Sequence, residues 1–77
     1  MDNIEIKLLN QLAEKIKKRR QFLKLSQESL SYKCGLDRTY ISLLERGKRN
    51  PSFLTLIKIC EGLEIKIIEL LDICDDK

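Results

Sequence analysis

The chain contains no histidine and no tryptophan, and among its 77 residues are one proline, three glycines and three cysteines. The missing histidine removes the side chain best suited to proton transfer near neutral pH, and the commonest metal ligand. Cys34, Cys60 and Cys74 are odd in number and widely spaced, so they form no zinc-type pattern. The glycines, at positions 35, 47 and 62, are too scattered for a phosphate-cradling loop. No cysteine has an evident base and no carboxylates pair, so neither catalysis nor a metal or other cofactor is expected. No apolar run approaches the ~18 residues of a membrane span, and the opening MDNIEIK lacks the layout of a signal peptide. Unpaired thiols suit a reducing, cytoplasmic setting. No segment alternates with period two over a strand's length, which predicts an all-α fold. Two Phe and two Tyr are the only aromatics, so the core is expected to be aliphatic.

Hydrophobic residues make up 43% of the chain, enough for one small core, and a single domain over residues 1–77 is expected. A core of this size is marginal alone and gains from oligomerisation. The net charge of +3 hides an asymmetry. Residues 1–50 carry twelve Lys/Arg against six Asp/Glu, or +6, and residues 51–77 carry three against six, or −3. A basic N-terminal part is what a surface facing phosphates needs, although scattered solvated charges give the same balance.

The segment QESLSYKCGLDRTYISLLERG, residues 27–47, reads as two short helices and a tight turn. Ser26 is placed to cap a helix over residues 27–34, which Gly35 ends. Asp37 is placed to cap a second helix over 38–46, which Gly47 ends. Leu30, Cys34, Leu36, Ile41 and Leu44 form one apolar seam, and the small Ser31 lies near the expected crossing. Arg38, Thr39, Ser42 and Leu43 are left on the outer face. An arginine and a threonine in the first exposed turn suit the reading of base edges in a major groove. The start of the first helix, at Gln27, offers free N–H groups and the positive end of a dipole to phosphate.

Around this segment the spacing predicts a first helix over about 6–23, with Leu8, Leu9, Leu12, Ile16 and Leu23 buried. A fourth follows over about 52–62 and a fifth over about 66–73. Gly62 and Ile65 mark the junction between these last two, and the tail CDDK is expected to fray. The basic run at Lys15, Lys17, Lys18, Arg19 and Arg20 scatters around its helix, as an ordinary solvated face does. Arg20 differs, because it falls beside the buried stripe. An arginine there needs a carboxylate, and Glu45 is the candidate partner.

Taken together, Gln27-Glu28-Ser29-Leu30, Gly35-Leu36, Tyr40-Ile41-Ser42, Leu44-Glu45-Arg46-Gly47 and Asn50-Pro51-Ser52 resemble the lambda-repressor-like helix-turn-helix family, the Cro/C1 or Xre type. The run LDRTYISLLERGKRNPS is similar to the controller proteins of restriction–modification systems. The resemblance implies a five-helix domain that regulates transcription as a homodimer on a two-fold-symmetric, double-stranded DNA operator, with RNA polymerase as a further candidate partner. It implies that Arg38, Thr39, Tyr40 and Ser42 lie at the groove, and that Gln27, Lys48, Arg49 and Asn50 lie at phosphates. Arg20 and Glu45 match the family's buried ion pair. Two residues depart from the pattern: Ser31 replaces the usual alanine, and Leu43 replaces a polar base reader. Leu43 then either meets a thymine methyl or fills space.

The fourth helix is too apolar for a single buried face. With Phe53 at 0°, Leu56, Ile59, Cys60 and Leu63 occupy an arc from about 240° to 0°, and Ile57 and Leu54 widen it to roughly 220°. In the fifth helix Ile67, Leu70, Ile73 and Cys74 form one arc, which Ile68 and Leu71 widen. Leu54, Ile57, Ile68 and Leu71 are therefore the candidate dimer contacts, with helices 52–73 as the dimerisation unit. Other functions of the same fold are a phage or mobile-element repressor, an antitoxin-type regulator, or an interaction module that reads no bases.

Overall fold

Asp2 opens the first helix. In the computed structural model, which describes residues 2–72, the Asp2 carboxylate accepts from the Glu5 N–H at 2.8 Å and the Glu5 carboxylate accepts from the Asp2 N–H at 3.2 Å. This reciprocal cap starts α1 (Asn3–Phe22) three residues before the apolar stripe predicts. Then come α2 (Gln27–Cys34), α3 (Arg38–Glu45), α4 (Phe53–Leu63) and α5 (Ile67–Leu70). The described residues form five helices and no strand. No helix among them is long and apolar enough to cross a membrane.

The core is aliphatic. Ile16, Leu30, Ile41, Leu44, Ile59, Leu63 and Leu70 are fully buried, and Leu12, Ala13, Cys34 and Cys60 nearly so. Leu8 and Leu9 are only half-buried; they line a shallow cavity with Glu5 and Asn50. Leu23 is also half-buried and lies beyond the helix end, as its C-cap. The inward stripe of α1 is therefore Leu12, Ala13 and Ile16. Cys34 is deep enough that burial pushes its thiol up to about 11, so it stays protonated at neutral pH. Ile73, Cys74 and the CDDK tail lie outside the described residues; within them the fifth helix is shorter than predicted, ending at Leu70 with Leu71 as its C-cap.

The turn between α2 and α3 follows the glycine. Gly35 takes φ +69°, and the Leu36 N–H reaches back to the Ser31 carbonyl at 2.9 Å. Ser26 caps α2, its hydroxyl accepting from the Ser29 N–H at 3.0 Å. Asp37 precedes α3 but makes no capping bond with its side chain, so the predicted cap there is corrected to a positional one. Gly62 is corrected as well. It does not break α4 but lies inside it, buried, where a β-carbon would collide with the Cys34 sulfur. Its service is the close crossing of α2 and α4. Helix α4 ends instead at Glu64, in the left-handed region with φ 55°.

Lys24 is the other non-glycine residue in that region, with φ 60°, in the exposed turn after α1. Left-handed backbone costs an L-residue about 1–2 kcal/mol. Glycine avoids that cost but loses about 0.5–1 kcal/mol more chain entropy on folding. Lys24→Gly should therefore raise the thermal unfolding midpoint slightly. A lower midpoint would show that the lysine side chain makes a compensating contact.

Candidate nucleic-acid interface

The outer helix α3 shows its start to solvent. Arg38 and Thr39 are exposed, and Ser42 and Leu43 are half-exposed one turn further on. Ile41 and Leu44 are buried behind them, so the 3.6-residue period alone decides which side chains face outward. Tyr40 is half-buried and packs against the core. Leu43 belongs to the outer face but is partly covered.

The turn after α3 depends on Gly47, at φ +72°. The Lys48 N–H bonds the Leu43 carbonyl at 2.9 Å, and the Gly47 N–H bonds the Leu44 carbonyl at 3.1 Å. A β-carbon on residue 47 would also strike the Asn10 side chain. This turn sends Lys48, Arg49 and Asn50 outward, all exposed, before the buried Pro51. The Arg49 guanidinium lies 5.8 Å from the Tyr40 ring centroid. That stack ties the basic turn to the outer helix. Arg46, which the sequence reading left unassigned, is exposed at the same rim, with its Nε 3.4 Å from the Ser42 carbonyl. Its position at the end of an amphipathic helix was the available signal.

Behind the rim lies a bidentate ion pair. Arg20 Nε donates to Glu45 Oε2 at 2.6 Å, and Arg20 Nη2 donates to Glu45 Oε1 at 3.0 Å. Arg20 Nη1 donates to the Leu25 carbonyl at 2.7 Å. The side chains are 11% and 3% exposed, so neither charge is left for solvent. Gln27 joins this network, its Nε2 donating to Glu45 Oε1 at 3.1 Å. That bond uses one of the two N–H groups of the amide and places the head of α2 beside the end of α3. Gln27, α3 and the basic turn therefore share one side of the molecule. With Glu45 neutralised by Arg20, the rim presents Arg38, Arg46, Lys48 and Arg49 as its cations. The arrangement suits a duplex: a helix for the groove, with donors on either side of it at backbone positions.

Among the dimer candidates, Leu54 and Ile68 are 72% and 74% exposed and Leu71 is 44% exposed. Ile57 is half-buried and lines a groove with Ile65 and Ile67. Phe53 was expected in the inward arc and is instead 65% exposed. It opens α4. It adds to the surplus apolar surface.

The helix-turn-helix family pattern matches residues 16–70. The chain is 46% identical over 70 residues to the control protein C.MunI of a Mycoplasma species, covering 91% of this chain and 90% of that one. Its fold is similar to the restriction–modification controller protein C.AhdI from Aeromonas hydrophila, with a TM-score of 0.79 and 37% identity over 80% of this chain and 94% of that one. It is also similar to the controller protein C.Esp1396I, solved as a tetramer in complex with its natural 35-base-pair operator. There the TM-score is 0.77 with 43% identity, covering 83% of this chain and 88% of that one.

Proposed function

Since the chain belongs to the helix-turn-helix family, in its lambda-repressor-like branch, we propose that it is a DNA-binding transcription regulator, the controller protein of a restriction–modification system. It acts as a homodimer on a two-fold-symmetric operator and carries out no catalytic step. One observation carries this reading: the exposed start of α3, Arg38 and Thr39, framed by the basic turn at residues 47–50. An adjacent pair of endonuclease and methyltransferase genes would support the controller assignment.

Each side chain has a role by its position. Arg38 can give two parallel hydrogen bonds to guanine, and Thr39 and Tyr40 can bond phosphate or pack on a thymine methyl. Ser42 and Leu43 lie one turn deeper along the groove. Gln27, Lys48, Arg49 and Asn50 hold phosphates and fix the register. Selection from random duplexes should return a palindromic site, and affinity should fall steeply with salt as counterions are released. Arg38→Ala should cost about 1–3 kcal/mol on the selected site and relax preference at one position, whereas Lys48→Ala should weaken all sequences alike and reduce the salt slope. If no site is enriched at low salt, the fold serves as an interaction module instead. If both variants act equally on cognate and random DNA, the division into reader and anchor fails.

A further inference from the structure

The C-terminus of α4 is held from two sides. Arg19, on α1, donates from Nε to the Leu63 carbonyl at 2.9 Å and from Nη2 to the Glu64 carbonyl at 2.8 Å. These two carbonyls lie beyond the helix's own closing bonds, in which the Ile65 N–H reaches the Cys60 carbonyl at 3.1 Å. The guanidinium fork thus meets the negative end of the α4 dipole with two charge-assisted bonds. Phe22, one turn along α1, lies under the same guanidinium at 5.1 Å from its ring centroid. From α2, Lys33 Nζ donates to Glu64 Oε2 at 2.8 Å. That bond holds the Glu64 carboxyl below its ordinary value.

Glu64 is an unexpected residue for its backbone. At φ 55° glycine is the unstrained choice, and no backbone argument favours glutamate. What glutamate adds is the tie to Lys33. Residue 64 is therefore bonded through its carbonyl to α1 and, by an ion pair whose side chains remain 34% and 62% exposed, through its carboxylate to α2. Helix α5 begins three residues later and carries the exposed Ile68. Helix α2 is the first helix of the helix-turn-helix. The clasp joins the apolar face to the unit that meets DNA.

We infer that Arg19, together with Lys33 and Glu64, is a positioning residue that sets the spacing between the two half-sites this protein accepts. The inference rests on the proposed reading of a dimer on DNA. In a two-fold dimer, any tilt of α4–α5 against α2–α3 is repeated in the partner, so a small change at this junction is doubled between the two reading helices. One inserted base pair moves a half-site by about 3.4 Å along the axis and about 34° around it. A rigid junction rejects that displacement, and a loose one follows it.

The test uses the full chain and operators whose selected half-sites are moved apart or together by one and two base pairs. Two variants loosen the clasp. Arg19→Met removes both carbonyl donors and keeps an apolar stem on Phe22. Glu64→Gly removes the Lys33 tie while relieving backbone strain, so the fold is expected to survive. Wild type should lose roughly tenfold or more in affinity per shifted base pair, the scale of a single mismatch. In the variants that penalty should shrink to roughly threefold or less, with the dimer constant and the preferred half-site sequence unchanged. Variants that keep the full spacing penalty would overturn the inference, even if they melt earlier, because the contacts would then serve stability alone. A wild type indifferent to spacing would overturn it too, while leaving DNA binding in place. A wild type that selects no site would remove the proposed function itself.

Discussion

Glu45→Gln should lower the thermal unfolding midpoint far more than Glu14→Gln. Glu14 is exposed on α1, whereas the Glu45 side chain is 3% exposed and accepts from both Arg20 and Gln27. The substitution leaves the Arg20 guanidinium charged, nearly buried and without a carboxylate. Stranding one member of a buried pair costs about 3–5 kcal/mol. Total stability for a chain of this length is of order 4–12 kcal/mol, so much of it would be lost. At about 4–8 °C per kcal/mol, even the lower figure shifts the midpoint by at least about 12 °C. The double change Arg20→Met with Glu45→Leu should cost less than the two single changes added together, since neither charge is then stranded. Equal midpoints for Glu45→Gln and Glu14→Gln would show that the pair contributes nothing in solution.

Ile68→Glu should separate the dimer without unfolding the domain. Ile68 is 74% exposed, so a carboxylate there disturbs no internal packing. In a dry contact across the two-fold axis it would meet apolar side chains and its own copy, and a charge buried without a partner is strongly disfavoured. Sedimentation should show a dimer for wild type at tens of micromolar and a monomer for the variant, with helical content unchanged. Operator affinity should fall by roughly 10²–10⁴-fold, because the second half-site is no longer bound from a tethered state. A wild-type monomer, or a variant that still dimerises, would move the interface away from α4 and α5.

Much of this protein is legible in its sequence because the relevant signals are local. Ser26, Gly35 and Gly47 stand at the ends of their helices because capping and left-handed backbone depend on one or two neighbouring residues. The outward set on α3 follows from helical periodicity, once Ile41 and Leu44 are taken as buried. Arg20 and Glu45 are 25 residues apart and were still matched, since an arginine beside a buried stripe requires a carboxylate. The start of α1 was missed although the capping signal Asp2-x-x-Glu5 was present, because the apolar stripe begins later.

What the sequence does not determine is how far each helix end reaches past its neighbours. Phe53 has the right angle for the core and is nevertheless exposed, at the first position of α4. Leu8 and Leu9, near the start of α1, are likewise only half-buried. Gly62 has the local character of a helix breaker, yet it is a packing residue, since only the approach of Cys34 reveals the missing space. Arg19 sits within a run of cations that reads as solvated surface. Its role is fixed by the Leu63 and Glu64 carbonyls, 44 and 45 residues away, and no local rule brings them together. The sequence by itself determined the order of the helices, the caps at Ser26, Gly35 and Gly47, the outward face of α3 and the need for an ion pair, because those depend on neighbouring residues and on the cost of burying charge. The tertiary structure alone decided which apolar residues remain uncovered and where the clasp on α4 closes, because both depend on where separate helices meet.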